Sequence, residues 1–202
     1  MKALHRPDLY GWSHFDEARN LDFHSTLWVR PGGNVAIDPL PLSAHDSAHV
    51  RSLGGVAWVV LTNSEHLRAA QEVVATFGAR LAGPRAEEST FPVRCDRWLS
   101  EGEALVPGLV ALELHGSKTP GELALLLEET TLVTGDLLRG HVAGRLNLLP
   151  SGKLKDVARV QASVRGLLAW PRIEAVLVGD GWPLFRHGRQ ALEELVAALA
   201  TP

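Results

Sequence analysis

A chain of 202 residues with 46% apolar and 21% charged side chains can bury a substantial core, and one domain is expected. A formal net charge of −3 gives no electrostatic reason to expect nucleic acid or an anionic membrane as partner, and no apolar run of 18 residues offers a membrane span. The single cysteine, Cys95, excludes an internal disulfide; with an N-terminal stretch that lacks an apolar h-region, the expected compartment is the cytoplasm.

Taken in chain order, "HSTLWV" (24–29), "NVAID" (34–38) and "VAWVVLT" (56–62) read as strands. "RPGG" (30–33) is a turn signal, because glycine tolerates positive φ and proline pre-sets its own. A polar stretch around Pro39 to Asp46 separates the second strand from the third. The third strand is an almost continuous apolar run, as for a strand covered on both faces. From Ser64 the period changes: Leu67, Ala70, Val73, Val74 and Phe77 share one helical face, with Asn63 or Ser64 as N-cap and Gly78 as the stop.

"ARLAGP" (79–84) predicts a short strand, and residues 85–107 read as loops with one helical turn. "LVALEL" (109–114), "ELALLLE" (122–128) and "TLVTGD" (131–136) are strand-like. A helix follows with Val157, Val160, Val164 and Leu167 on one face. The strand "IEAVLVG" (173–179), the turn "DGWP" (180–183) and the helix "RQALEELVAALA" (189–200) complete the chain. That order predicts two packed sheets with helices outside them.

Polar residues gather at the C-terminal ends of these strands, where α/β architectures place their ligands. They are Asp38, the cluster Asn63 to His66, Asp136 and Asp180. Five segments resemble the metallo-β-lactamase fold superfamily in order and spacing. "GGNVAIDP" (32–39) is similar to its early strand ending in aspartate, and "LTNSEHLR" (61–68) to Thr-His-x-His-x-Asp-His. "KTPGELAL" (118–125) resembles His-Thr-Pro-Gly-Ser, "LVTGDLL" (132–138) Phe-Thr-Gly-Asp, and "VGDGWP" (178–183) the late Gly-His-Gly. The resemblance covers roughly residues 24–185 and implies a four-layer αββα sandwich.

The metal ligands that the resemblance implies are only partly present. Asn63 stands at the first histidine of one site and Lys118 at its third, and neither an amide nor an ammonium replaces an imidazole at zinc. Aligning Glu65 and His66 with the Asp-His pair takes a two-residue deletion, which removes the second histidine, so that site is expected to be lost. The other implied site becomes Glu65, His66, Asp136 and Asp180. One imidazole and three carboxylates suit a single divalent metal, zinc or, with this oxygen-rich balance, manganese or iron.

Two functions are therefore open. In one, the chain is a hydrolase with one metal, its catalytic residues His66 and Asp136, acting on an ester, thioester, lactone, amide or phosphodiester. In the other, it holds no metal: Lys118 sits among Glu65, Asp136 and Asp180 as an internal cation, and the cleft binds a small molecule or partner without catalysis. Lys118, Arg139 and His141 are the candidate substrate-binding residues, the last two in "LLRGHVAGRLN" (137–147), whose charges can meet an anionic group. Asp38 reads as a turn residue. "GSKT" (116–119) lacks the glycine that a phosphate loop needs before its lysine, and Cys95 has no base that singles it out as a nucleophile.

Overall fold

A computed structural model of the protein describes residues 1–199. Its first seven strands, β1 (Lys2–Ala3), β2 (Leu9–Asp16), β3 (Leu21–Trp28), β4 (Val35–Ile37), β5 (Trp58–Val60), β6 (Arg80–Pro84) and β7 (Arg97–Leu99), form one sheet in chain order. The pairing is antiparallel from β1 to β4 and parallel from β4 to β7. Helices α1 (Ala44–Ser52) and α2 (Ala70–Phe77) lie in the crossovers around β5. A second sheet takes β8 (Ala104–Val106), β9 (Leu109–Leu114), β10 (Glu122–Leu127) and β11 (Thr131–Val133). The hairpin β12 (Leu138–Val142) and β13 (Arg145–Leu148) and helix α3 (Val157–Gly166) then precede β14 (Ala175–Leu177), which completes this sheet in the order β14-β11-β10-β9-β8. Helix α4 (Gly188–Leu199) closes the described chain.

Alternation along the strands builds the layers. In β10, Leu123, Leu125 and Leu127 face the first sheet and meet Ile37, Val60 and Leu99, forming the core between the sheets. Their neighbours Ala124 and Leu126 face the other way, onto Val160 and Val164 of α3 and Leu192 and Leu195 of α4. On the outer face of the first sheet, Val59 and Leu61 pack under Ala70 and Val73 of α2. The result is the four-layer αββα sandwich. No helix among the described residues is long and apolar enough to cross a membrane.

Several elements depart from the sequence reading. Helix α1 lies where a polar stretch was expected. Val50 is its one buried side chain, so no apolar stripe marks it, although Ser43 capping the Asp46 amide at 3.0 Å is a legible start signal. The helix expected from Ser64 is broken. Asn63 caps a single 3-10 turn over Ser64–His66, Arg68 turns the chain at φ 38°, and α2 begins at Ala70. Gly78 does stop α2, in the left-handed conformation at φ 67°. Short strands β7 and β8 stand in the segment read as loops, and "LLRGHVAGRLN" forms the β12–β13 hairpin. The N-terminal β1 and β2 were not legible as strands at all. Ala200, the last residue of the helix expected over 189–200, lies outside the described residues.

Candidate functional site

The C-terminal ends of the two sheets meet at one mouth. β4 delivers Asp38, β5 leads to Thr62 and Asn63, β11 to Asp136 and β14 to Asp180. The glycine before Asp136 is required by close approach: a Cβ on Gly135 would lie 2.6 Å from Thr62 Oγ1 and 3.1 Å from Glu122 Oε1. Gly181, at φ 85°, lets residues 179–182 stitch β3 to the hairpin, its amide donating to Asp22 O while the Trp182 amide donates to Gly140 O.

Asp38 is the anchor of the inner site rather than a simple turn residue. Its Oδ1 accepts the Thr62 amide at 2.8 Å, and its Oδ2 accepts the Thr62 hydroxyl at 2.6 Å and the His66 Nδ1 proton at 2.7 Å. His66 Nε2 lies 3.4 Å from Asp136 Oδ2, so the imidazole bridges two buried carboxylates. Burial works against its charged form, but Asp38 and Asp136 outweigh that and raise its pKa from 6.5 to about 9. Asp136, which burial alone would push up, is held well below the ordinary carboxylate range by His66 and Lys118.

Lys118 reaches two carboxylates, Asp136 Oδ2 at 3.0 Å and the Glu65 carboxylate. Burial opposes its charge, and these two partners raise its pKa nonetheless. Asn63 Nδ2 donates to the same Asp136 oxygen at 3.1 Å while Asn63 Oδ1 caps the Glu65 amide. Asn63, Glu65 and Lys118 thus gather around Asp136. This is the grouping of an ungapped match to Thr-His-x-His-x-Asp-His, with Asn63 and Glu65 at the first two histidines, Leu67 at the aspartate and Arg68 at the last histidine; no deletion is needed.

Asp180 stands apart from that group. Arg139 Nε donates to both of its oxygens at 2.9 Å, Nη2 adds a further bond to Oδ2, and His141 Nε2 lies 3.3 Å from Oδ1. Among the described residues Lys118 is paired with Glu65 and Asp136 only, and Asp180, its third expected partner, pairs with Arg139 instead. Arg139 and His141 therefore hold a carboxylate of the protein itself.

The donors present do not fit a divalent metal in this arrangement. Among the described residues no three His, Cys, Asp or Glu side chains are grouped as a metal would need. The carboxylates of the implied set are each engaged: Glu65 and Asp136 by Lys118, and Asp180 by Arg139. Both nitrogens of His66 face carboxylates or the Arg68 guanidinium.

Two participants were not foreseen. Arg68 Nη1 donates to His24 O at 2.7 Å and Asp38 O at 3.1 Å, and its guanidinium lies over Phe23. Burial lowers its pKa and Asp38, Asp136 and Asp180 oppose that, leaving a fixed cation at the mouth. Its place in the motif was the available signal. Glu122, at the start of β10, is buried behind Asp136, accepting from Leu137 N at 2.8 Å and Ser117 Oγ at 3.0 Å. Burial, then repulsion from Asp136, raises its pKa to about 7. Cys95 is buried, and burial pushes its thiol up to about 12, which leaves it inert.

These shifts set a pH dependence. A histidine whose folded pKa lies above its unfolded one stabilises fully below about pH 6.5, and that stabilisation is lost as the pH rises through about 9. Glu122 acts in the same direction between about pH 4.5 and 7. Below about pH 6.5 His5, whose pKa burial lowers, acts in the opposite direction, so the urea midpoint is expected to fall from about pH 6.5 to 9, with His66→Gln flattening that fall. A parent midpoint that is constant from pH 6.5 to 9 contradicts a charged imidazole.

The mouth opens into a cleft of about 680 Å³ that is lined by His66, Arg68, Lys118, Asp136 and Arg139 and, on its outer side, by Phe23 and Lys153. In comparisons with solved structures, a metallo-beta-lactamase from Pseudomonas aeruginosa in a mono-zinc form aligns over 96% of this chain and 92% of its own, with a TM-score of 0.74 at 12% identity. A metallo-beta-lactamase family protein from Thermus thermophilus aligns over 96% and 79%, with a TM-score of 0.70 at 20% identity. Likeness at such identities shows the fold alone. Among curated proteins, the hydroxyacylglutathione hydrolase of Acidiphilium cryptum (strain JF-5) is 29% identical over 129 residues, 62% of this chain and 53% of that protein, so the chain spans about half the length of this relative. The family model described as "Metallo-beta-lactamase superfamily" matches residues 1–199, and the chain belongs to that superfamily.

Proposed function

We propose that this chain is a small-molecule-binding member of the superfamily in which protein cations stand where relatives hold metal. The observation that carries the reading is Lys118, whose ammonium lies 3.0 Å from Asp136 Oδ2 and pairs with Glu65 as well. An ammonium between the two carboxylates offsets one of their two charges, part of the role that a divalent ion would otherwise take. Arg68 and Arg139 supply the remaining positive charge around His66 and Asp180. The superfamily match and the hydrolase relative support a hydrolase-type ancestry, and a cleft of this volume suits a small organic molecule.

The same relative favours a second reading, a hydrolase of the ester or thioester class with one metal, zinc, manganese or iron, on Glu65, His66, Asp136 and Asp180. That reading requires the Lys118 and Arg139 pairs to open and free their carboxylates. Metal content by mass spectrometry, on untagged protein loaded with zinc and then manganese, separates the two. The expected result is no metal above background in the parent or in Asp136→Ala. About one equivalent in the parent, lost in Asp136→Ala, overturns the proposal and installs the hydrolase reading.

A further inference from the structure

A second cavity lies away from the mouth. On the inner face of the first sheet, the cross-strand pair Leu9 and Trp28 fills the space between the sheets with bulky side chains. The next pairs on that face are Gly11 with Thr26 and Ser13 with His24, so small residues follow where leucine and tryptophan stood. The opposing wall is apolar, with Leu177 and Val178 at the end of β14 and Pro183 and Phe185 in the segment after it. Leu4 closes one side, its Cδ2 lying 3.0 Å from where a Cβ on Gly11 would stand. These walls enclose a cavity of about 400 Å³, which shares no lining residue with the cleft at the mouth.

Most polar groups around this cavity already have partners. Ser25 Oγ donates to Asp38 O and accepts the Leu40 amide, Trp12 Nε1 donates to Leu40 O, and His24 Nε2 donates to Gly181 O. Asp46 accepts the Ser43 hydroxyl and pairs with the Met1 ammonium. Ser13 and Lys2 stand exposed at the rim, where water meets them. Thr26 differs from all of these. It is 5% exposed, and its hydroxyl has no hydrogen-bond partner among the described residues. The oxygen is not sealed in by packing, so it opens on the cavity. A buried hydroxyl in that position takes its partner from the cavity.

We propose that this cavity binds a small uncharged alcohol or phenol, its hydroxyl on Thr26 Oγ1 and its apolar body against Leu4, Leu177, Pro183 and Phe185. A ligand hydroxyl donates and accepts as the threonine does, so either direction of the bond satisfies both groups. The apolar walls favour a hydrocarbon body, and a charged ligand would lose its hydration beside Thr26 without gaining a counter-ion. This inference goes beyond the reading of the mouth and does not depend on it.

The test is amide NMR of the full chain titrated with para-ethylphenol, ethylbenzene and para-ethylbenzoate at neutral pH. The phenol is expected to saturate one site, with its largest shifts at Gly11, Thr26 and Val178 rather than at Arg68 and Asp136. It is expected to bind about fivefold more tightly than ethylbenzene, with the benzoate weakest. Thr26→Val keeps the shape of the side chain and breaks no side-chain bond within the protein. Its melting midpoint is therefore expected to hold, while the phenol loses about fivefold and ethylbenzene loses nothing. Phe185→Ala, at a residue 40% exposed, is expected to weaken both ligands without unfolding the chain. The inference is overturned by no saturable shift, by shifts centred on the mouth, or by either other probe binding as tightly as the phenol. Unchanged phenol affinity in Thr26→Val or in Phe185→Ala overturns it equally.

Discussion

Asp38→Ala is expected to destabilise the protein by about 3–5 kcal/mol, the range for removing one partner of a buried ion pair. Three donors lose their acceptor at once: the Thr62 amide, the Thr62 hydroxyl and His66 Nδ1. His66 stays buried, now with Asp136 as its one carboxylate partner, so the charge that Asp38 favoured becomes costly. The backbone adds to the loss, since Asp38 sits at φ 46°, a conformation that aspartate and asparagine tolerate better than alanine. Asp38→Asn therefore separates the two contributions, keeping the backbone preference while removing the charge. Urea denaturation at pH 7 measures both variants. A loss below about 1 kcal/mol for Asp38→Ala contradicts the anchoring role.

Arg139→Ala is expected to cost about 3 kcal/mol for the same reason on the other side of the mouth. Asp180 is buried, and Arg139 supplies three of the bonds to its carboxylate, leaving His141 at 3.3 Å as its one other side-chain partner among the described residues. Lysine is a poor substitute, because a point charge does not reproduce a fork that engages both oxygens. The double variant Arg139→Ala with Asp180→Ala is expected to recover part of the loss, since no charge is then left unpaired. Denaturation of the four members of that cycle reads the coupling directly. Strictly additive losses contradict a buried pair. The pair also holds the mouth together, because the segment carrying Asp180 bonds on one side to β3 and on the other to the hairpin.

Apolar pattern and turn residues made most of the fold legible. "VAWVVLT" is apolar on both faces because β5 is covered on one side by α2 and on the other by the second sheet. The segments around Asp136 and Asp180 made the superfamily's order legible. Elements without an apolar signature escaped notice: α1 buries a single side chain, and the solvent-facing end of the β12–β13 hairpin reads as polar loop. The break after His66 was invisible for a related reason. Leu67 and Ala70 keep helical spacing across it, and periodicity does not register one residue turning at positive φ.

The candidate site divides along the same line. Sequence by itself brought out most of the groups that reach the mouth, because strand ends and the turns after them are local features: Asp38, Asn63 to His66, Asp136 and Asp180 follow from where apolar runs stop, and Lys118 from the motif, while Arg68 and Glu122 escaped both. It did not determine who pairs with whom. Lys118 and Glu65 lie 53 residues apart, Arg139 and Asp180 41, and His66 and Asp38 28. Only the packing of one sheet on the other sets those distances, and a displacement of about one ångström turns a hydrogen-bonded ion pair into a water-separated one. That packing gave Asp180 to Arg139 rather than Lys118, gave His66 to Asp38, and left Arg68 and Lys153 facing the cleft.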